Sequence, residues 1–292
     1  MRRLAPSTAQ LLLALQLSLS MQASVAQSAA GPDGDCGEVV TVQTHDRSTA
    51  RYTLARPGPG QAPGGPIALV LLPGGSGYVD LDTNGCAQAL KGNSLVRSIP
   101  LFRAAGFFTA LVDAPSDHQG QDGLGGFRVD KQHAEDLGKV IADLRSRTQA
   151  SVWIVGTSRG AISAVNAAAL LSGSSAPDGV VLTSALMSGQ AGMRKAWVAH
   201  SVFDLPLESI RVPVLVVGHA TDTCIRSPAQ RMGEITARSN GAREQVVTVT
   251  GGPGGSRASG IAACQGRSPH GFIDQETEVA EGMARFIRGG AY

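Results

Sequence analysis

Apolar residues along the chain follow two alternating rhythms. Residues 67–72 (IALVLL) form an unbroken apolar run, closed by Pro66 on one side and Pro73-Gly74-Gly75 on the other. Such a run predicts a strand buried on both faces of a parallel sheet. Ahead of it, 38–44 and 51–55 predict a short strand pair, joined to the first central strand by a Pro/Gly linker over 57–66. Beyond it the pattern switches back and forth. Helices are predicted at 94–105, 130–147, 159–171, 228–238 and 274–287, and strands at 107–113, 152–155, 180–183, 214–218 and 245–250. Repeated strand-helix alternation implies a mostly parallel central sheet with helices on both faces, because parallel neighbours need crossover connections. Ligands bind such sheets beyond the carboxyl ends of the strands, which directs the search for chemistry.

The first 26 residues break this pattern. Arg2 and Arg3 precede an apolar stretch around 11–19, and Ser24-Val25-Ala26 offers the small residues that a signal peptidase reads. A signal peptide over 1–26, cleaved after Ala26, is expected, then a flexible leader over 27–37 and one catalytic domain over 38–292. The apolar stretch is shorter than the ~20 residues that cross a bilayer, and Gln16 interrupts it. No stable membrane span is therefore expected after cleavage. There is no internal repeat, and no break in composition marks a second domain.

The chemistry centres on Gly156-Thr157-Ser158-Arg159-Gly160, a G-x-S-x-G sequence between a predicted strand and an Ala-rich predicted helix. That is the context of a nucleophile elbow, in which the serine sits on a strained turn and Gly156 and Gly160 spare the neighbouring backbone a Cβ. With the elbow in place the chain resembles the α/β-hydrolase superfamily, from the strand pair near Glu38 to the last helix. The order serine, acid, histidine sharpens the resemblance. Asp222 follows the 214–218 strand, and His270 lies in Ser268-Pro269-His270-Gly271-Phe272 between the last strand and the last helix.

The resemblance implies a serine hydrolase with Ser158, Asp222 and His270 as its triad and no cofactor or metal. His270 would take the Ser158 proton while Asp222 holds the imidazole in the right tautomer. The Arg159 N–H is the expected first oxyanion donor. The second is expected from the 73–77 turn, with Gly75 aligned to the donor and Ser76 as its alternate; proline stands at 73 where the family usually has histidine. Among the rivals, Asp204 precedes the 214–218 strand, Asp274 would more simply cap the last helix, and His219 precedes the acid. His45, His118, His133 and His200 are read as surface or polar-network histidines.

Four cysteines in an exported chain form an even set with three possible connectivities. Cys36 with Cys86 and Cys224 with Cys264 is the favoured pairing, since the second would tie the segment after Asp222 to the segment before His270. Neither pair has zinc-site spacing. The glycine stretches 74–77 and 251–255 read as turns rather than phosphate cradles, because no Gly-Lys-Ser/Thr ending follows. The loop 114–128, with Asp117, His118 and Asp122, is expected to overlook the site and touch substrate; its acids and histidine match no fixed metal-ligand spacing.

The remaining properties narrow the reaction. A net charge of +2 without a dense basic block excludes nucleic acid as the natural partner. An aromatic content of 4% and the lack of an amphipathic lid segment disfavour a bilayer-acting lipase. No long helical insertion separates 183 from 222, so little or no cap domain and a fairly open pocket are expected. The leading reading is carboxylic-ester hydrolysis of a small-molecule or polymer ester through an acyl-enzyme. A secreted serine peptidase and a catalytically silent binding protein on the same fold are the alternatives.

Overall fold

In the computed structural model, residues 36–58, 64–252 and 258–292 are described. The expected signal peptide over 1–26, the expected leader up to residue 35, the middle of the Pro/Gly linker and part of the 251–255 glycine stretch lie outside them.

Eight strands form one open sheet in the order β1-β2-β4-β3-β5-β6-β7-β8. They are β1 (Glu38–Gln43), β2 (Thr49–Ala55), β3 (Ile67–Leu72), β4 (Phe108–Val112), β5 (Ser151–Thr157), β6 (Gly179–Thr183), β7 (Val214–His219) and β8 (Glu244–Val249). β2 runs against both of its neighbours, and every pairing from β4 to β8 is parallel. The apolar runs explain the centre of this order. In β3, Ala68, Val70 and Leu72 face one core layer while Ile67, Leu69 and Leu71 face the other, and β7 divides Val214 and Val216 from Leu215 and Val217 in the same way. A strand buried on both faces cannot afford alternating polar residues.

Helices α2 (Lys131–Thr148) and α3 (Gly160–Leu170) fill the first layer with Leu137, Ile141, Leu144 and Val165. α1 (Ser94–Ala104) and α5 (Glu276–Ile287) fill the second with Phe102, Val279, Met283 and Phe286. Local chemistry sets the ends of these helices. The Asn93 side chain accepts the Leu95 N–H at the start of α1, and the Asp130 side chain accepts the Gln132 N–H at the start of α2.

Three expectations need correction. The helix expected over 228–238 is a 3₁₀ turn, Ala229–Arg231, followed by the four-residue α4 (Gly233–Thr236). Met232, Ile235 and Arg238 donate their N–H groups three residues back rather than four, and Met232 and Ile235 are pinned in the core. Asp274 does not cap α5: Gln275 holds the N-cap position without a side-chain cap, and Asp274 takes a left-handed conformation at φ 58°. The 114–128 segment does not simply overhang the sheet, because its last residue turns inward beneath the 73–77 turn. Between β6 and β7 the described residues form only 3₁₀ turns, so no helical cap is inserted there.

Two buried polar nodes hold the loops at the carboxyl edge. Asp113, just past β4, accepts N–H groups from Val79 (2.8 Å), Leu81 (3.1 Å) and Ala114 (2.9 Å) and meets Arg51 (3.4 Å). The guanidinium of Arg128, 1% exposed, donates to Ser163 Oγ (2.7 Å) and to the Pro73 carbonyl (3.2 Å). Burial, helped by the Arg159 charge, lowers its pKa to about 9. Ser163 Oγ also meets His133 Nε2 at 2.8 Å, and since Arg128 already donates to that oxygen the hydroxyl can donate to a neutral His133. Burial, then the charges of Arg128, His118 and His45, push His133 down to about 3.

A histidine whose folded pKa lies below its ordinary 6.5 binds protons more readily in the unfolded chain. Its contribution to stability is complete above pH 6.5 and is lost as pH falls toward about 3. Urea unfolding across this window should show a steeper acid-side loss for the wild type than for His133→Gln. Parallel pH profiles would contradict the assignment.

Candidate active site

Backbone crowding shapes the elbow. A Cβ at Gly160 would lie 2.0 Å from the Leu72 carbonyl oxygen and one at Gly156 would lie 2.4 Å from the Gly160 oxygen, so only glycine fits at either position. The turn between β5 and α3 is thereby forced tight, and Ser158 sits at φ 54°, a left-handed conformation costing about 1–3 kcal/mol that the surrounding packing must hold. The Ser158 N–H donates to the Thr183 carbonyl (2.9 Å), which ties the elbow to the end of β6. Arg159, directly after the serine, forms the N-cap of α3, so its backbone stands at that helix end beside Ser158.

Gly74 faces the serine directly: a Cβ there would stand 2.8 Å from Ser158 Cβ. Gly75, at φ 60°, lines the same pocket as Ser158, whereas Ser76 is turned to other work. The Ser76 carbonyl accepts the Leu124 N–H (2.8 Å) and its hydroxyl accepts the Tyr78 N–H (3.3 Å). Of the two expected oxyanion positions in the turn, Gly75 is the one at the pocket wall.

Asp222 lies on the turn after β7, with its N–H donated to the His219 carbonyl (3.0 Å). Its carboxylate is 1% exposed and fully engaged. Oδ1 accepts the Cys224 N–H (2.9 Å), while Oδ2 meets both His270 Nδ1 (2.9 Å) and the Ser227 hydroxyl (2.8 Å). Ser227 Oγ is itself 2.9 Å from His270 Nδ1. A carboxylate only accepts, so the imidazole proton belongs on Nδ1 and Nε2 is left as an acceptor. Nε2 is buried without a hydrogen-bond partner, and Ser158 Oγ is not bonded to it, although both residues line one open pocket of about 690 Å³ empty volume with Gly74, Gly75, Leu90 and Gln265.

The His270 loop is clamped from three sides. Ser268 accepts the His270 N–H (3.2 Å), and Ser184 Oγ donates to the His270 carbonyl (2.7 Å). Arg97 on α1 donates to the carbonyls of Gly266 (2.9 Å) and Gly271 (2.8 Å) while paired with Glu276 (2.7 Å). The disulfides are Cys36–Cys86 and Cys224–Cys264. The second joins the acid turn to Cys264 in the pocket wall.

Other candidates fall away from the pocket. His219 Nδ1 accepts the Thr221 N–H (3.1 Å) and Nε2 meets Gln275 Oε1 (2.7 Å), so the ring braces two loops. Asp204 serves its own capping box with Ser201. The 114–128 loop supplies no residue to the pocket wall, contrary to the expected substrate contact; Asp122 pairs with Lys195. Asp222, Cys224 and His270 crowd their donor atoms within 4.8 Å, but the Cys224 sulfur is spent in a disulfide and offers no thiolate for a metal. Sequence reasoning missed Ser227, Ser184 and Arg97. Of these, only Ser227 carried a signal, its nearness in the chain to Asp222.

This topology, with the elbow after β5, is the α/β-hydrolase fold, and solved structures bear it out. A dienelactone hydrolase from Anabaena variabilis aligns at TM-score 0.54 and 17% identity, over 87% of this chain and 97% of its own. A thermophilic esterase from the planctomycete Thermogutta terrifontis, solved with butyrate bound, aligns at 0.55 and 16%, over 88% and 96%. A dipeptidyl peptidase 4 from Porphyromonas gingivalis aligns at 0.53 and 10%, over 84% of this chain and 35% of its own. No family model and no curated protein matches the sequence.

Arg97, on α1, holds both the His270 loop and the first turn of α5. Arg97→Met should lower unfolding stability by about 2–3 kcal/mol in urea titration, since hydrogen bonds from a charged donor are lost and Glu276 is left unpaired. A change within about 0.5 kcal/mol, the range of an unremarkable surface substitution, would contradict this reading of the clamp.

Proposed function

We propose that the protein is a serine hydrolase that cleaves carboxylic esters through an acyl-enzyme. The observation that carries this reading is the buried Asp222–His270 pair, whose free Nε2 belongs to a pocket that also holds the strained Ser158. In the first half-reaction Nε2 takes the Ser158 proton as Oγ attacks the ester carbonyl. The tetrahedral oxyanion meets the N–H groups of Arg159 and Gly75, and the alkoxide departs with the proton from Nε2. In the second, His270 takes a proton from water, whose oxygen attacks the acyl-enzyme, and Ser158 is regenerated. Contacts between base and nucleophile are commonly long before substrate arrives, and the Ser158 to His270 bond forms in the Michaelis complex.

Asp222 and Ser227 together hold the imidazole and stabilise its charged form during transfer. With no helical cap over the pocket, acyl or alcohol groups that protrude into solvent are accommodated. Small-molecule and polymer esters both meet that condition, and no cofactor or metal enters these steps. Both disulfides suit an oxidising compartment, which supports export with signal cleavage after Ala26.

The same triad also cleaves amides, and the likeness to a dipeptidyl peptidase keeps a peptidase as the second reading. A panel of chromogenic esters of rising acyl length, beside matched arylamides, separates the two. Esters should turn over faster, and Ser158→Ala should lower kcat by about 10⁴- to 10⁶-fold. Faster cleavage of the arylamides would favour the peptidase, and undiminished turnover by Ser158→Ala would remove the proposal altogether.

A further inference from the structure

The hairpin between β1 and β2 carries a side-chain cluster for which the proposed hydrolysis has no use. Its turn places Asp46 and Arg47 at φ 42° and 67°, the left-handed pair of a type I′ turn, which suits the twist of the strands but strains non-glycine residues. This turn presents His45, buried, toward the loop that follows β4. That loop is stitched to the hairpin by the Ser116 N–H to the Thr49 carbonyl (2.8 Å) and the Thr49 N–H to Ser116 Oγ (3.1 Å). Asp117 and His118 follow immediately in the chain.

His45 Nδ1 lies 2.5 Å from Asp136 Oδ2, on α2, and its Nε2 lies 2.8 Å from Asp117 Oδ2. Donor atoms of His45, Asp117 and His118 all fall within 4.8 Å of one another. From this geometry we infer that His45, Asp117 and His118 form a binding site for a first-row divalent metal ion such as Zn²⁺, with Asp136 fixing the tautomer of His45.

Four features favour this assignment. Two imidazoles and one carboxylate make a borderline-soft donor set of the kind zinc takes, with a remaining position for water. A buried carboxylate on the far nitrogen of a ligating histidine is the usual support of such sites, and Asp136, its side chain 4% exposed, supplies it. An imidazolium caught between two carboxylates would explain His45, Asp117 and Asp136 but not why a His118 nitrogen shares their locus. The site can also close. Donors around tetrahedral zinc stand about 3.3 Å apart, so adjustments of an ångström or so suffice, and Asp117, its side chain 46% exposed, is free to make them. The His118 ring stacks on Phe127, at 4.1 Å between ring centroids, and lies 5.9 Å from the His45 ring.

On binding, the metal replaces the proton on His45 Nε2, which passes to solvent, and Asp136 keeps the hydrogen on Nδ1. The ion would fasten the β1–β2 hairpin to the loop after β4, on the same side of the sheet as the 73–77 turn.

The test is calorimetric titration of the chelator-treated full chain with Zn²⁺ alone at neutral pH, paired with the visible spectrum of the Co²⁺-loaded protein. One saturable site per chain is expected, with a d–d band of low-coordinate cobalt. His118→Ala should abolish the band and weaken binding, and Asp136→Asn, which leaves all three ligands in place, should weaken it by about 10- to 100-fold. His118 is not part of the core, so its variant retains the fold even if Asp136→Asn does not. Absence of saturable binding in the wild type would overturn the proposal. So would unchanged affinity in His118→Ala, including the case in which binding disappears with His270→Ala instead and zinc has been captured by the hydrolytic pocket.

Discussion

The site is built on a close approach between three pieces of backbone. The start of α3 passes so near the end of β3 that the Leu72 carbonyl occupies the space a side chain at position 160 would need, and Gly156 is closed off by Gly160 in turn. No side-chain contact could bring these elements so near. The left-handed Ser158, the N-terminus of α3 behind it and the 73–77 turn in front of it are consequences of that single approach. The strain is sustained because residues 160–168 of α3 are all buried and cannot relax outward. Arg128 extends the constraint by holding the Pro73 carbonyl from below, so the turn facing Ser158 is fixed on both sides.

The acid and histidine depend on a different arrangement. They stand on loops after β7 and β8, which the order of strands in the sheet sets on the far side of β6 from the elbow. Their mutual geometry is secured locally, by Ser227 on both partners, by the Cys224 N–H on the free carboxylate oxygen, and by a disulfide that bridges the two loops. The placement of His270 relative to Ser158 is governed by Ser184 and Arg97, which anchor the histidine loop to β6 and α1.

The parts of this arrangement that could be read from the chain are those with local signatures. The six-residue apolar run of β3 and the glycines of the elbow announce themselves because burial on two faces and backbone crowding each restrict residue type at neighbouring positions. The order of Asp222 and His270 and the strands they follow made them candidates, and the fold brings the two side chains to 2.9 Å. Ser227 and Arg97 were not legible in this way, since a serine or arginine acquires its role only from partners brought up by folding, in the case of Arg97 residues 169 to 179 positions away. The 114–128 loop departs from its expected place over the site for a related reason: Arg128 is buried against Ser163 and Pro73, partners that only folding brings to it. The short α4 departs from the expected helix because Pro228 and Gly233 punctuate a segment whose apolar residues are few.

The central claim is that Ser158, His270 and the two backbone donors converge on one reacting carbon. A crystal structure of the protein inactivated by an alkyl phosphonate, whose tetrahedral phosphorus mimics that carbon, tests it directly. The account predicts a bond from phosphorus to Ser158 Oγ, the phosphonyl oxygen within about 3 Å of the Gly75 and Arg159 nitrogens, and His270 Nε2 beside the ester oxygen. A phosphonyl oxygen turned to solvent, or an imidazole left at its distance from the adduct, would contradict it.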